Sequence, residues 1–335
     1  MTYLYKILFT TSMMMGTIIV MSSNSWISMW IGLEINLLSI IPLMSNVKNK
    51  MESEAAMKYF ITQAMASTIL MLAIIIMLSN NDMMVTSKIS STFMSIAILT
   101  KMGAAPFHFW FPEVMEGLSW INSMIMLTWQ KIAPMTIFMY LNNQMTLMIS
   151  CIIMSMMVSG LMGFNQTSMR KIMAYSSINH IGWMMGAMLT NQSLWMIYFS
   201  VYTMMTINIT MMFKIMNISN INQMINSMNK NKMIKILFSM NFLSLGGIPP
   251  LMGFLPKWIT INSLIQEKMY LLTLVMIMLT LMTLAFYMRI MFTSGIMMTS
   301  ELNPKIKSNK TNNLMITNFI VLSLLSMCPM MISFT

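Results

Sequence analysis

Thr100-Lys101-Met102-Gly103-Ala104-Ala105-Pro106-Phe107-His108-Phe109-Trp110-Phe111-Pro112-Glu113 places a lysine inside an otherwise apolar run, five residues ahead of a proline. A charged side chain at the middle of a bilayer costs about 2.5–3.5 kcal/mol on insertion scales, and is kept where it has a partner or a watery cavity. Pro106 has no N–H and crowds the carbonyl of Met102, which predicts an interrupted helix. Interrupted helices are tolerated in membranes where they line a polar site. The stretch therefore decides between a plain apolar bundle and a bundle built around buried charge.

The rest of the chain supplies the bundle. Of 335 residues, 57% are hydrophobic and 8% charged, against about 25% charged in a soluble domain. Apolar runs of span length recur along almost the whole sequence, and strand-period alternation is absent. The class is an all-α polytopic membrane protein. Cys151 and Cys328 are too few for an iron–sulfur cluster and suggest no disulfide framework. There is no glycine-rich dinucleotide fingerprint and no P-loop, so the chain is expected to bind no redox cofactor and to hydrolyse no nucleotide. The 55 methionines, with abundant Ile, Asn, Lys and Ser, fit an AT-rich gene read by a code in which AUA is methionine, as in animal mitochondria. The N-terminus shows no Arg-rich presequence, and Ile7–Met21 lacks the small-residue cleavage site of a signal peptide.

Eleven spans are expected, roughly at 3–22, 25–45, 57–79, 89–112 (broken), 117–141, 145–164, 170–190, 193–216, 234–265 (broken), 269–292 and 313–333. The two long polar connections, 217–233 and 293–312, are expected as surface loops. Charge tests the count. With the N-terminus and every second loop on one side, that side receives Lys6, Lys48, Lys50, Lys58, Arg170, Lys171, Lys214, Lys230, Lys232, Lys235, Arg289, Lys305, Lys307 and Lys310, while the other receives Lys88 and Lys268. The positive-inside rule puts the N-terminus on the inner side, the matrix in a mitochondrion, and the C-terminus on the intermembrane-space side. Basic residues strung over separate short loops argue against nucleic acid as a partner.

Three basic residues, Lys101, Lys131 and Lys257, and one acid, Glu34, remain inside spans. Glu34, near the centre of span 2, is the natural partner of Lys101. Lys131 sits midway along span 5, too deep to snorkel, with Pro134 freeing the carbonyl of Gln130. Lys257 follows Gly246, Gly247, Pro249 and Pro250, which should interrupt span 9 as Gly103 and Pro106 interrupt span 4. The bland readings are a structural ion pair for Glu34 and an interfacial position for Lys257. His180, with hydroxyl and amide neighbours, and His108, in an aromatic cluster, are candidate proton relays. They form no metal site. Breaks at corresponding places suggest two inverted five-helix repeats, 1–141 and 145–292, within one membrane domain, followed by a loop and C-terminal helix over 293–335.

The segments 101–113, Trp129-Gln130-Lys131-Ile132-Ala133-Pro134, 165–177 and Gly246-Gly247-Ile248-Pro249-Pro250-Leu251-Met252-Gly253-Phe254 closely resemble the NADH dehydrogenase subunit 2 family of animal mitochondria, the insect form most of all. The resemblance runs from about residue 5 to 290. It implies one of three antiporter-like subunits in the membrane arm of respiratory complex I, a fold of two inverted five-helix repeats each with a discontinuous helix, and eleven helices in the animal form. It implies that Glu34 and Lys101 are the family's ion pair, Lys131 its central channel lysine and Lys257 the lysine of the second broken helix. Proton translocation would be coupled to NADH oxidation and ubiquinone reduction. NADH, FMN, iron–sulfur clusters and ubiquinone would belong to the assembled complex, and the partners would be the other membrane-arm subunits and membrane phospholipids. Two rivals share these residues: a stand-alone cation/proton antiporter, and a non-pumping subunit whose charges only lock helices.

Overall fold

The computed structural model describes residues 2–46, 49–79, 84–141, 144–228, 232–249 and 251–296. Within them the chain is helical, and the single β-type pairing is an isolated bridge between Ser168 and Asn220. It divides into two compact units, Met1–Cys151 and Ile152–Thr335. Among the described residues six helices are long and apolar enough to cross a membrane by length and composition. Their outer faces carry exposed apolar residues such as Leu8, Ile18, Leu72 and Leu274, as a lipid-facing surface requires.

The first unit contains α1 (Thr2–Ser22), α2 (Trp26–Met44), α3 (Lys50–Ser79), α4 (Met84–Met102), α5 (Trp110–Gly117), α6 (Trp120–Leu127) and α7 (Trp129–Tyr140). Small residues let α1 and α2 approach closely. A Cβ at Gly16 would lie 2.6 Å from Asn36 Oδ1, and one at Gly32 would lie 2.6 Å from Val20 Cγ2. Trp30 donates its indole N–H to the Ser67 carbonyl at 3.3 Å, joining α2 to α3. Lys58 on α3 bonds both Glu54 and Glu113 at 3.0 Å, which ties α5 to α3 where the chain restarts after the break. Exposed pairs of this kind contribute about 0.2–1 kcal/mol.

The unit boundary falls within α8 (Met145–Phe164), and the second unit continues with α9 (Met169–Thr190), α10 (Gln192–Met216), α11 (Ile221–Met228), α12 (Lys232–Gly246), α13 (Phe254–Gln266) and α14 (Tyr270–Ile296). Its central helix is α9, buried almost throughout from Met169 to Met188 and packed against α10, α13 and α14. Its polar residues therefore need partners inside the protein. Ser176 and Ser177 donate to their own helix, to the carbonyls of Met173 and Ala174. Asn179 donates to Thr283 on α14.

Three expectations change in detail. Gly103, at φ +73°, ends the helix of span 4, and Pro106 lies beyond it in the connecting loop. Span 5 is not one helix: it is interrupted at Thr128, between α6 and α7. The Thr128 hydroxyl donates to the Met124 carbonyl at 2.8 Å, the same carbonyl its N–H uses, and such back-bonding bends helices. The connection expected as a loop over 217–233 contains the short helix α11, which starts after Asn217 has closed α10 in the left-handed conformation at φ 52°. The segment 313–333, Pro250 and Cys328 lie outside the described residues.

Candidate functional site

Both broken spans stop in the same way. In the first, Gly103 N–H donates to the Thr100 carbonyl and Ala104 N–H to the Leu99 carbonyl. In the second, Gly247, at φ +78°, donates to the Ser244 carbonyl and Ile248 N–H to the Leu243 carbonyl. This paired pattern is a Schellman cap, in which a glycine takes the positive φ that side chains resist. The last carbonyls of a helix carry its negative dipole end, where a cation is favoured.

Each unit places a lysine beside its break, by different routes. Lys101 belongs to the last turn of α4. Lys257 belongs to α13, after the break, and reaches back so that its Nζ donates to the Gly246 carbonyl at the end of α12, at 2.8 Å. Gly247 makes the room: a Cβ there would lie 2.8 Å from Lys257 Nζ. Gly247→Val is accordingly expected to strain the cap by about 1–3 kcal/mol and to displace the Lys257 ammonium, lowering the thermal stability of the purified assembly. Gly246→Ala is the control, because its Cβ would meet nothing nearer than Tyr287 Cδ2 at 3.6 Å.

In the first unit, Glu34 Oε1 lies 3.8 Å from Lys101 Nζ, with the lysine side chain 4% exposed and the glutamate 24%. That is an ion pair without a hydrogen bond. Lys131 is 2% exposed, and its Nζ lies over the Phe111 ring at 5.7 Å from the centroid. α4, α5 and α7 bring Lys101, Phe111 and Lys131 to the wall of one cavity, which Tyr59 and Gln63 on α3, Asn36 on α2 and Gln130 on α7 also line. The cavity measures about 20 Å³, and about 10–15 Å³ suffices for one water. Asn36 Oδ1, Gln63 Nε2 and Gln130 Nε2 are buried without a hydrogen-bond partner among the described residues. A space of this size with several unsatisfied polar atoms is a water site rather than a dry void.

The sequence pointed to Glu34, Lys101 and Lys131 but not to Tyr59, Asn36, Gln63 or Gln130. Their signal was present: Tyr59 and Gln63 are four residues apart, so they share a face of α3, and no charged residue follows Lys58 in that helix. His108 is buried, its ring tilted against that of Phe109 at 4.4 Å between centroids, and does not line this cavity. In the second unit His180 shares a 2.9 Å hydrogen bond between Nδ1 and the Tyr198 hydroxyl, and its ring lies 5.0 Å from that of Tyr202. Trp183, one turn further along α9, lies under Lys257 Nζ at 5.8 Å. Pro249 falls in the break, after Gly247. Among the described residues no three His, Cys, Asp or Glu side chains gather as a metal site would require.

Comparison with known proteins gives this arrangement its context. Residues 23–283 match the family described as NADH:quinone oxidoreductase/Mrp antiporter, TM. NADH-ubiquinone oxidoreductase chain 2 of Anopheles gambiae is 46% identical over 331 residues, covering 96% of each chain. The protein of the same name from Locusta migratoria is 46% identical, covering 96% of this chain and 94% of that one. A chain of respiratory complex I from Thermus thermophilus has the same fold, with a TM-score of 0.85 at 20% identity over 96% of this chain and 78% of that chain. A chain of the Mrp complex from Dietzia gives a TM-score of 0.74 at 14% identity, over 89% and 61%. The insect-like resemblance of the four motifs thus extends over most of the chain, which belongs to the NADH:quinone oxidoreductase/Mrp antiporter family of membrane proteins, among the NADH-ubiquinone oxidoreductase chain 2 sequences.

Proposed function

We propose that this chain is an antiporter-like, proton-translocating subunit of the membrane arm of a respiratory NADH:ubiquinone oxidoreductase. It works in the mitochondrial inner membrane with its N-terminus on the matrix side. The observation that carries the reading is that two buried lysines, Lys101 and Lys131, open onto one water-sized cavity, with Glu34 3.8 Å from the first of them. A proton route needs titratable groups in series with polar contacts between them, and the first unit supplies that sequence.

Glu34 stabilises the Lys101 ammonium. When the pair loosens, Lys101 loses that stabilisation and passes a proton through the cavity to the Lys131 amine. Lys257, seated on the carbonyl of Gly246, is the corresponding group of the second unit, and the His180–Tyr198 hydrogen bond is a candidate relay there. Electron transfer from NADH to ubiquinone belongs to partner subunits. Native electrophoresis of mildly solubilised membranes, with peptide mass spectrometry along the lane, tests the assignment. The chain is expected in a very large assembly with NADH dehydrogenase activity. Migration alone or as a small oligomer would support a stand-alone antiporter instead.

The cavity adds a finer test. Gln63→Leu removes one anchor of the bridging water while both lysines stay in place. A lost hydrogen bond is worth about 0.5–1.5 kcal/mol, so proton translocation should slow by roughly two- to tenfold, with normal assembly. Unchanged pumping in the assembled variant would remove Gln63 from the route.

A further inference from the structure

The second unit holds another cavity, of about 430 Å³, at the opposite end of α14 from Glu267. Its floor is fixed by two crossed backbone hydrogen bonds: Met169 N–H donates to the Ser219 carbonyl at 2.9 Å and Ile221 N–H to the Thr167 carbonyl at 3.2 Å. Gln166, Thr167, Asn220 and Asn222 give the cavity a polar side, and Phe286 and Arg289 on α14 close it. Arg289 spends one N–H on the Phe164 carbonyl at 2.8 Å. A guanidinium has five N–H donors, so most of its hydrogen-bonding capacity remains for a ligand.

The charge of this region is one-sided. The only acids in residues 152–335 are Glu267 and Glu301. Glu301 lies outside the described residues, and Glu267 precedes the start of α14. From Tyr270 to Arg289 the helix rises roughly 28 Å at about 1.5 Å per residue, close to the thickness of a bilayer's hydrocarbon core. Arg289 therefore stands at headgroup depth, and the carboxylate of Glu267 is a membrane away.

The face of α14 that leads to Arg289 is apolar and exposed. Leu271, Leu274, Met278, Leu281 and Ala285 stand at helical spacing of three and four residues, and Arg289 continues the same row. An apolar stripe about one leaflet long or more, ending in an arginine beside a polar cavity, has the chemistry of a phospholipid: acyl chain along the stripe, phosphate at the guanidinium. We infer that this groove binds an anionic phospholipid, with its phosphate on Arg289 and its polar headgroup in the cavity between the 164–168 loop, α11 and α14.

The test uses the purified assembly and a phosphatidylglycerol carrying a photoactivatable diazirine in one acyl chain, with the labelled peptides mapped by mass spectrometry. Label is expected on residues 274–292, displaced at least tenfold more effectively by unlabelled phosphatidylglycerol than by phosphatidylcholine. Arg289→Gln should abolish that headgroup preference. Should the variant fail to assemble, the competition on the unaltered assembly decides alone. Equal displacement by both lipids would mean bulk lipid against an apolar face and would overturn the inference. Absence of label would mean that protein covers the groove and would overturn it too. Displacement by inorganic phosphate alone, with no effect of the acyl chain, would reduce the site to an anion site and reject the lipid. None of these outcomes depends on whether the chain moves protons.

Discussion

In assembled complex carrying Lys131→Met, NADH oxidation is expected to continue while proton translocation per electron falls. Lys131 is fully inside the first unit, against the Phe111 ring and the cavity it shares with Lys101. Methionine has nearly the same length and is flexible enough to fill the space, and an apolar group of similar volume removes the cost of burying a polar head group. Folding is therefore not where the loss should appear. A positioned proton donor or acceptor contributes about 10²–10⁴-fold to the step it serves, so flux through this chain should drop to background. Lys131→Arg sharpens the test. Arginine keeps the positive charge but does not release its proton in a protein. If Lys131 only locked helices by its charge, arginine would serve and methionine would not. If it exchanges protons, both variants should fail in pumping and assemble. Normal proton-to-electron stoichiometry in the arginine variant would exclude the exchange role.

Charge and breakpoints were the legible part of this chain, and contacts were not. Lys101, Lys131, Lys257 and Glu34 stand out because nothing else in a long apolar run explains a charge. Gly103 and Gly247 stand out because a helix tolerates glycine poorly in its interior and well at its end. The sequence placed Lys101 before a break and Lys257 after one. The common feature, a lysine serving the end of the first half-helix, appears only once Lys257 is seen folded back onto Gly246. The cavity was hidden for a different reason. Gln63, Asn36 and Gln130 are neutral, and a neutral amide in a span is ordinary until its partners are known; here α2, α3 and α7 each contribute one. Thr128 was hidden because threonine usually sits in a helix without breaking it, and only its bond to the Met124 carbonyl reveals the kink. α11 was read as loop because the connection around it, 217–233, is rich in Asn, Ser and Lys, yet the left-handed cap at Asn217 and the Ser219–Gln223 hydrogen bonds fix its start.

Glu34→Gln should do what Lys131→Met does not, and weaken the structure. It leaves the Lys101 ammonium almost wholly buried without its countercharge. Breaking a buried pair by removing one partner costs about 3–5 kcal/mol. A glutamate a quarter exposed at 3.8 Å is screened and loosely paired, so about 1–3 kcal/mol is the better expectation, enough to lower the amount of assembled complex and its thermal stability. Lys101→Met should cost less, because the carboxylate it leaves behind is a quarter exposed rather than almost wholly buried. The double variant Glu34→Gln with Lys101→Met removes both charges together. Its stability should recover to near that of Lys101→Met alone, and the non-additivity measures the pair. Proton translocation should not recover with it, since the titratable group that feeds the cavity is gone. A double variant that regained both stability and pumping would make the pair a helix lock and move the route elsewhere. One that regained stability alone separates the two roles of Lys101: a cation that closes α4 against Glu34, and a proton carrier facing Lys131.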